Sequence, residues 1–453
     1  MKTIPTLYIG EYQSFGKQDL KKCLATGQEH RADKIWEALK HFASQERNQA
    51  LLRFKNSNTL TTQNYVGAIQ LKNFCIEILP KIHKANLSGH SKDCPQKLYP
   101  LDRLEFIKKV RQFINQEGFE FVRPTCSLCY ARQILLNCLS TLKDTPFKKS
   151  SLAHLTNASL PLLEIFVRMF LEECEQLIKR GLKRDYLAIS ENRLFFKGKL
   201  EFASHLKTNL IHKERFYTTS DTYSLDVPPN RLIKSTLKIL KSLALSPKSQ
   251  EKLNSMWFVL DGVCASQNIE SDFAKSKLAT RFKEYENLLA WCNLFLRQKS
   301  LTPHSGADYA YAFLFPMEKL FESFVGFWLQ KSLGDIYTVS LQEQKYDFIK
   351  DRYLRPDIIL RSKQAPQNEC CILDTKWKKV QGLKDVSYDD LYQMWAYAST
   401  YATLEQTHIS TCLVYPLQDG MQSTETFRAR PFTDKPVKLK IAYFPLDNHD
   451  HLK

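Results

Sequence analysis

The segment RPDIILRSKQAPQNECCILDTKWKK, residues 355–379, sets two acids and a lysine where reacting groups could meet. In ILDTKW a strand would put Asp374 and Lys376 on one face and Leu373, Thr375 and Trp377 on the other. Asp357 opens the preceding apolar run and reaches the same rim if the two runs pair as a hairpin. Two neighbouring carboxylates repel unless one is protonated or a cation bridges them. A hard divalent ion resolves the repulsion, because Mg²⁺ accepts a few carboxylates and fills its octahedron with water and phosphate oxygens. A lysine beside it can orient or help deprotonate water and stabilise charge developing on phosphorus. That is the minimum equipment for metal-assisted phosphodiester hydrolysis. The alternative is a solvated hairpin edge on which Asp374 and Lys376 merely pair.

Two flanking features bear on the choice. Upstream, Glu322 borders the apolar stripe Met317, Leu320, Phe321, Phe324 and Trp328 of a predicted helix, with Glu318 one turn away. Downstream, Gln393 and Tyr397 lie one turn apart on the predicted helix SYDDLYQMWAYASTYATLE, which Ser387 and Asp390 open as a capping box. A glutamine amide and a phenol can both hydrogen-bond a phosphate or a catalytic carboxylate.

The elements that must position these groups follow from periodicity and punctuation. The C-terminal third reads helix, strand, strand, helix, strand, the last being the apolar CLVYP, which suits a small α/β sheet with helices packed on it. TPHSGADYAYAFLFP, 302–316, marks the boundary before it. The first 82 residues mix a helix, DKIWEALKHFASQ, with strand-like LLRFKN, TLTTQNYVGAIQL and FCIEILPKI. KANLSGHSKDCPQK, 84–97, is a polar loop or junction. The middle is mainly helical, with one short β element in RLFFKGKLEF and a long amphipathic helix, LPLLEIFVRMFLEECEQLIKRG, ending at Gly181.

Composition narrows the partners. Lys and Arg number 65 against 48 Asp and Glu, a surplus of 17 that favours a polyanionic partner. The N-terminus carries no apolar run of signal-peptide length, and the most apolar helix is broken by Glu164 and Arg168, so neither export nor a membrane is expected. Twelve dispersed cysteines then read as reduced thiols of a cytoplasmic protein. Cys126 and Cys129 form a single CxxC, with Cys138 and His154 downstream as conceivable companions; without a second pair this is a weak zinc signal.

The order acid helix, PD strand, DxK strand and QxxxY helix resembles the PD-(D/E)xK nuclease superfamily. Three further segments, NYVGAIQLKNFCIEILPKI, KRGLKRDYLAISENRLFFKGKLEF and VPPNRLIKSTL, resemble McrC, the nuclease subunit of McrBC modified-cytosine restriction systems, as do FPMEKLFESFV and DLYQMWAYA. The resemblance implies an α/β chain (α+β overall). It would comprise an N-terminal mixed region, 1–100, a helical middle assigned to partner docking, 101–300, and a restriction-endonuclease-like domain, 301–453. It implies Asp357, Asp374 and Glu322 as ligands of Mg²⁺, for which Mn²⁺ can substitute, Lys376 as the catalytic lysine, and Gln393 and Tyr397 in support. It further implies double-stranded DNA as substrate and a hexameric McrB-like AAA+ GTPase ring as partner. GTP would be used by that partner, consistent with the lack of a GxxxxGK[ST] pattern here. The polar loops 84–97 and 143–160 are candidates for contacting it. Two other readings stay open: a stand-alone repair or recombination nuclease, and a non-catalytic DNA-binding activator of an AAA+ ring.

Overall fold

The computed structural model describes residues 4–81, 89–91, 94, 96, 98, 101–114, 124–142, 146–148, 160–278, 284–297, 310–344, 347–349, 352–363, 369–405, 408–418, 425–429 and 437–448. It is a mixed α/β structure forming two compact units, one of residues 1–163 with 300–453 and one of 164–299. The C-terminal third thus shares a unit with the N-terminal region. The reason is a strand, Tyr311–Pro316, which pairs antiparallel with Tyr65–Leu71 and completes the N-terminal sheet. In that sheet Thr6–Gly10 and Phe74–Leu79 run parallel, and Tyr65–Leu71 lies between Phe74–Leu79 and the late strand. Gly67 has φ +135°, and a Cβ there would meet the Phe313 carbonyl oxygen at 2.1 Å, so this join requires glycine.

The second sheet of this unit has six strands in the order Tyr337–Leu341, Ile358–Ser362, Glu369–Thr375, His408–Pro416, Val437–Phe444 and Glu425–Ala429. The expected hairpin is present: Ile358 pairs with Leu373 and Arg361 with Cys370, antiparallel. Glu369–Thr375 then runs parallel to His408–Pro416, which demands a crossover, and the helix Tyr388–Glu405 supplies it. The predicted strand CLVYP lies inside this sheet, as its apolar run requires. The strand order is longer than helix, strand, strand, helix, strand: Tyr337–Leu341 precedes the hairpin, and two strands follow His408–Pro416. YTVSL alternates Tyr337, Val339 and Leu341 with Thr338 and Ser340, a strand signal five residues long that the expected order left out.

A buried ion pair ties the N-terminal sheet to the helix Ser127–Leu139. Arg132 Nε and Nη2 donate to Glu77 at 2.7–2.9 Å, and Glu77 Oε1 also accepts from Leu162 N at 2.8 Å. Both side chains are fully excluded from solvent.

The unit of 164–299 packs the helices Pro228–Lys241, Pro247–Val259, Ile269–Leu278 and Glu286–Arg297 around Leu232, Leu237, Trp291 and Phe295. The prolines at 228 and 229 occupy the first helical positions, where a missing N–H costs nothing. The expected short β element is part of a three-stranded sheet, Asp185–Arg193, Phe216–Ser224 and Lys199–Leu200. Its strands mix apolar and polar residues on both faces and few of those residues are buried, so no clean alternation marks them. Among the described residues no helix is long and apolar enough to cross a membrane.

Candidate active site

Asp374 is the last buried acid on Glu369–Thr375, and Lys376 follows just past the strand end, where its backbone N–H bonds Val414 O. Alternation does place both on one face: Lys376 Nζ lies 2.5 Å from Asp374 Oδ2. Asp357 immediately precedes the partner strand, and its Oδ2 accepts from both Thr375 N, at 2.8 Å, and Thr375 Oγ1, at 2.7 Å. Those two bonds fix the aspartate beside Asp374 across the hairpin while using only one of its oxygens.

The electrostatics record how close the acids are. Burial first, and then the Asp357 charge, push Asp374 up to about 7, with Lys376 acting in the opposite direction. Burial works against a charged Lys376, but Asp374, joined by Asp390 and Asp357, outweighs it and holds the ammonium above its usual range. Glu322, on the helix Met317–Leu333, is raised by burial and then by Asp357, so it lies within reach of the Asp357 charge. Its carboxylate accepts from Gln342, which in turn accepts from Arg355. Glu318 instead acts on Glu11 and Lys81, which separates the two glutamates of that helix.

Gln393 and Tyr397 do share a helix face, and they spend it on the lysine. Lys376 Nζ donates to Gln393 Oε1 at 2.8 Å, Gln393 Nε2 donates to Tyr397 OH at 2.8 Å, and Tyr397 OH donates to Arg355 O at 3.2 Å. Burial pushes the Tyr397 phenol up to about 12, so it remains a donor. The chain of bonds runs from the DxK lysine back to the backbone of the PD segment and fixes both ends of the hairpin at once.

Two further residues belong to the site, one expected only as a helix cap and one not expected at all. Asp390 N donates to Ser387 Oγ at 3.3 Å, as a cap requires, but the Asp390 carboxylate turns to lysines instead of completing the box. It lies 2.7 Å from Lys378 Nζ and 3.9 Å from Lys376 Nζ, so a residue that reads as half of a capping box is a second acid on the lysine. Glu11 is the other. Its Oε2 accepts from the Trp377 indole at 2.7 Å and from Lys81 N at 3.1 Å, anchoring the segment after the DxK strand to the N-terminal sheet. Phe321 packs on the same indole, which joins the Glu322 helix to this anchor. Sequence offered no signal for Glu11, because it lies hundreds of residues from its partner.

Glu11 carries a pH prediction. Burial raises it from 4.5 to about 7, and its Oε1 is buried with no hydrogen-bond partner. The folded protein therefore holds a proton that the unfolded chain has lost. That stability is fully present below pH about 4.5 and is lost as pH rises to about 7. Urea unfolding at both ends of this window should show the wild type losing roughly 3 kcal/mol more than Glu11→Gln, which keeps an acceptor for Trp377 but cannot titrate. Equal slopes for the two proteins would remove Glu11 as the cause.

A family model for McrBC 5-methylcytosine restriction system components matches residues 60–416, a span containing all of these side chains except Glu11. The chain belongs to the McrBC family. It is 24% identical over 263 residues to the type IV methyl-directed restriction enzyme EcoKMcrBC of Escherichia coli K12, covering 54% of this chain and 74% of that protein. It also resembles a chain in the refined half-complex from the tetradecameric assembly of Thermococcus gammatolerans McrB AAA+ hexamers with bound McrC. That likeness has a TM-score of 0.58 at 16% identity and covers 98% of this chain and 95% of that one. At this identity it establishes a shared fold. It extends across both units of the McrBC-family chain, not the hairpin alone.

Proposed function

We propose that this McrBC-family chain is the DNA-cleaving subunit of its restriction system, working with an AAA+ GTPase ring. The observation that carries the reading is the meeting of Asp357, Asp374 and Lys376 at one hairpin, with Glu322 of the neighbouring helix acting on Asp357 and Lys376 held by Gln393. The donor set fits a hard divalent ion: the Asp357 charge pushes both Asp374 and Glu322 toward protonation, a repulsion that a cation relieves. When bound by Asp357, Asp374 and Glu322, Mg²⁺ or Mn²⁺ would polarise the phosphodiester and lower the pKa of a water. The protein's own part is positional and electrostatic. Lys376 is kept as an ammonium, which suits it to orient water and stabilise charge on phosphorus rather than to remove a proton. Gln393 and Tyr397 stop the lysine from swinging away. The surplus of 17 positive charges supports sequence-independent phosphate contacts that weaken steeply with salt.

The unit of 164–299 supports the partner half of the proposal. Phe195, Phe196, Phe202, Leu206, Leu210 and Ile211, which are 58% to 85% exposed, gather within one short stretch of the small sheet and its helix. Apolar surface so concentrated marks an interaction site. The solved neighbour of matching fold comes from an assembly of AAA+ hexamers, so we assign this surface to the ring. Most of 143–160 lies outside the described residues, so that candidate loop contributes nothing here.

The test mixes the chain, the AAA+ protein of its system, GTP and Mg²⁺ with methylated or unmethylated plasmid. Cleavage is expected only with the ring, GTP and the metal together. In the same mixture Leu210→Asp with Ile211→Asp should reduce GTPase stimulation about tenfold or more. Efficient cutting by the isolated chain would favour a stand-alone nuclease, and stimulation without any cutting would favour a non-catalytic activator.

A further inference from the structure

Far along the chain from the acids, a histidine and three cysteines converge. His90 and Cys94 come from the segment after the N-terminal sheet, and Cys126 and Cys129 from the start of the helix Ser127–Leu139. Their ligand atoms all lie within 4.8 Å of one another. His90 Nδ1 is 3.7 Å from Cys94 Sγ, 3.8 Å from Cys126 Sγ and 3.3 Å from Cys129 Sγ, and Cys94 Sγ is 3.3 Å from Cys129 Sγ. A tetrahedral zinc ion with Zn–S bonds of about 2.3 Å and Zn–N bonds of about 2.1 Å has ligand-to-ligand edges of about 3.5–3.8 Å. We infer that His90, Cys94, Cys126 and Cys129 form a structural zinc site.

Two of the three sulfurs, those of Cys94 and Cys126, meet groups that favour charge. Gln96 N donates to Cys94 Sγ at 3.3 Å. Gln96 has φ +50°, a conformation uncommon for glutamine. Cys126 is the N-cap of its helix, where the helix dipole favours negative charge. Three thiolates and a neutral imidazole complete four-coordination, so the ion has no open position and the site is structural rather than catalytic.

Its position says what it steadies. Ser91 Oγ donates to Thr125 O at 2.9 Å, so the loop and the helix start are already joined. The same helix carries Arg132, paired with Glu77, and Asn137, which donates to Leu446 O at 3.0 Å. Ser323, beside Glu322, donates to Thr141 O just past its end. Zinc would therefore pin the loop to the helix on which the acid-bearing helix rests.

This corrects the companions expected of the CxxC. Cys138 is buried and belongs to no such cluster among the described residues, and His154 lies outside them. The signal was legible as H-x₃-C followed by C-x₂-C, but the first half sat in a loop read only for its polarity.

The test needs no activity. The full-length protein, purified from zinc-supplemented cells without added chelator, is analysed by elemental mass spectrometry and by mercurial-triggered release to a chromogenic chelator. We expect about one zinc per chain, falling below about 0.1 in Cys126→Ser and His90→Ala, retained in His90→Cys, and unchanged in the exposed-thiol variant Cys264→Ser. Co²⁺ substituted into the wild type should give the intense visible bands of a tetrahedral thiolate site, an answer that does not depend on any variant folding. A zinc-free wild type with no such spectrum, a Cys94–Cys129 disulfide in its place, or zinc lost equally from Cys264→Ser overturns the site.

Discussion

Asp374→Asn is expected to lower DNA cleavage by at least about a thousandfold, with the fold and the stimulation of the ring's GTPase intact. The substitution keeps shape and removes the negative charge that pairs with Lys376 at 2.5 Å and that would hold the metal. A carboxylate buried to 1% exposure and raised to about 7 is under electrostatic strain in the metal-free protein, so the neutral amide should melt no lower than wild type near pH 8. Loss of function with stability kept or gained separates a functional acid from a structural one. Lys376→Ala should cost about a hundred- to a thousandfold, because it removes charge stabilisation and takes from Asp374 its cation, while Asp390 keeps Lys378. Gln393→Ala should cost less, about tenfold, since Lys376 keeps both carboxylates. Cleavage by Asp374→Asn within about tenfold of wild type would falsify the assignment. The GTPase readout guards against a trivial loss, because the apolar surface assigned to the ring belongs to the unit of 164–299.

The second large effect concerns stability. Glu77→Ala is expected to destabilise the unit of 1–163 with 300–453 by about 3–5 kcal/mol, read as a shift of the urea midpoint. The cost arises because Arg132, fully buried, loses its bidentate partner, and Leu162 N loses an acceptor. Glu77→Leu combined with Arg132→Leu should recover much of the loss, since no uncompensated charge then remains in the interior. If the double variant proves as unstable as Glu77→Ala alone, the pair contributes by shape rather than by charge, and this account fails.

These residues also mark where sequence reasoning reached and where it stopped. A strand sends side chains alternately to two faces, so ILDTKW alone places Asp374 with Lys376, and the helical repeat alone places Gln393 over Tyr397. Local periodicity carries such information because it depends on bonds a few residues long. The same periodicity misleads for Glu77: in FCIEIL every residue is buried, because the helix Ser127–Leu139 covers the face that alternation leaves for solvent. Asp390 reads as a cap and acts on lysines, since only the packed helix brings Lys376 and Lys378 to it.

What the sequence determined by itself was the chemistry available: a PD strand, a DxK strand and a QxxxY face within the span matched by the McrBC family. What only the tertiary structure decided was which distant segments complete each site. Glu11 reaches Trp377 across 366 positions, Tyr311–Pro316 closes a sheet begun by the first residues, and His90 and Cys94 arrive beside a CxxC that looked alone. Such contacts depend on burial and packing summed over the whole unit, and no local pattern encodes them.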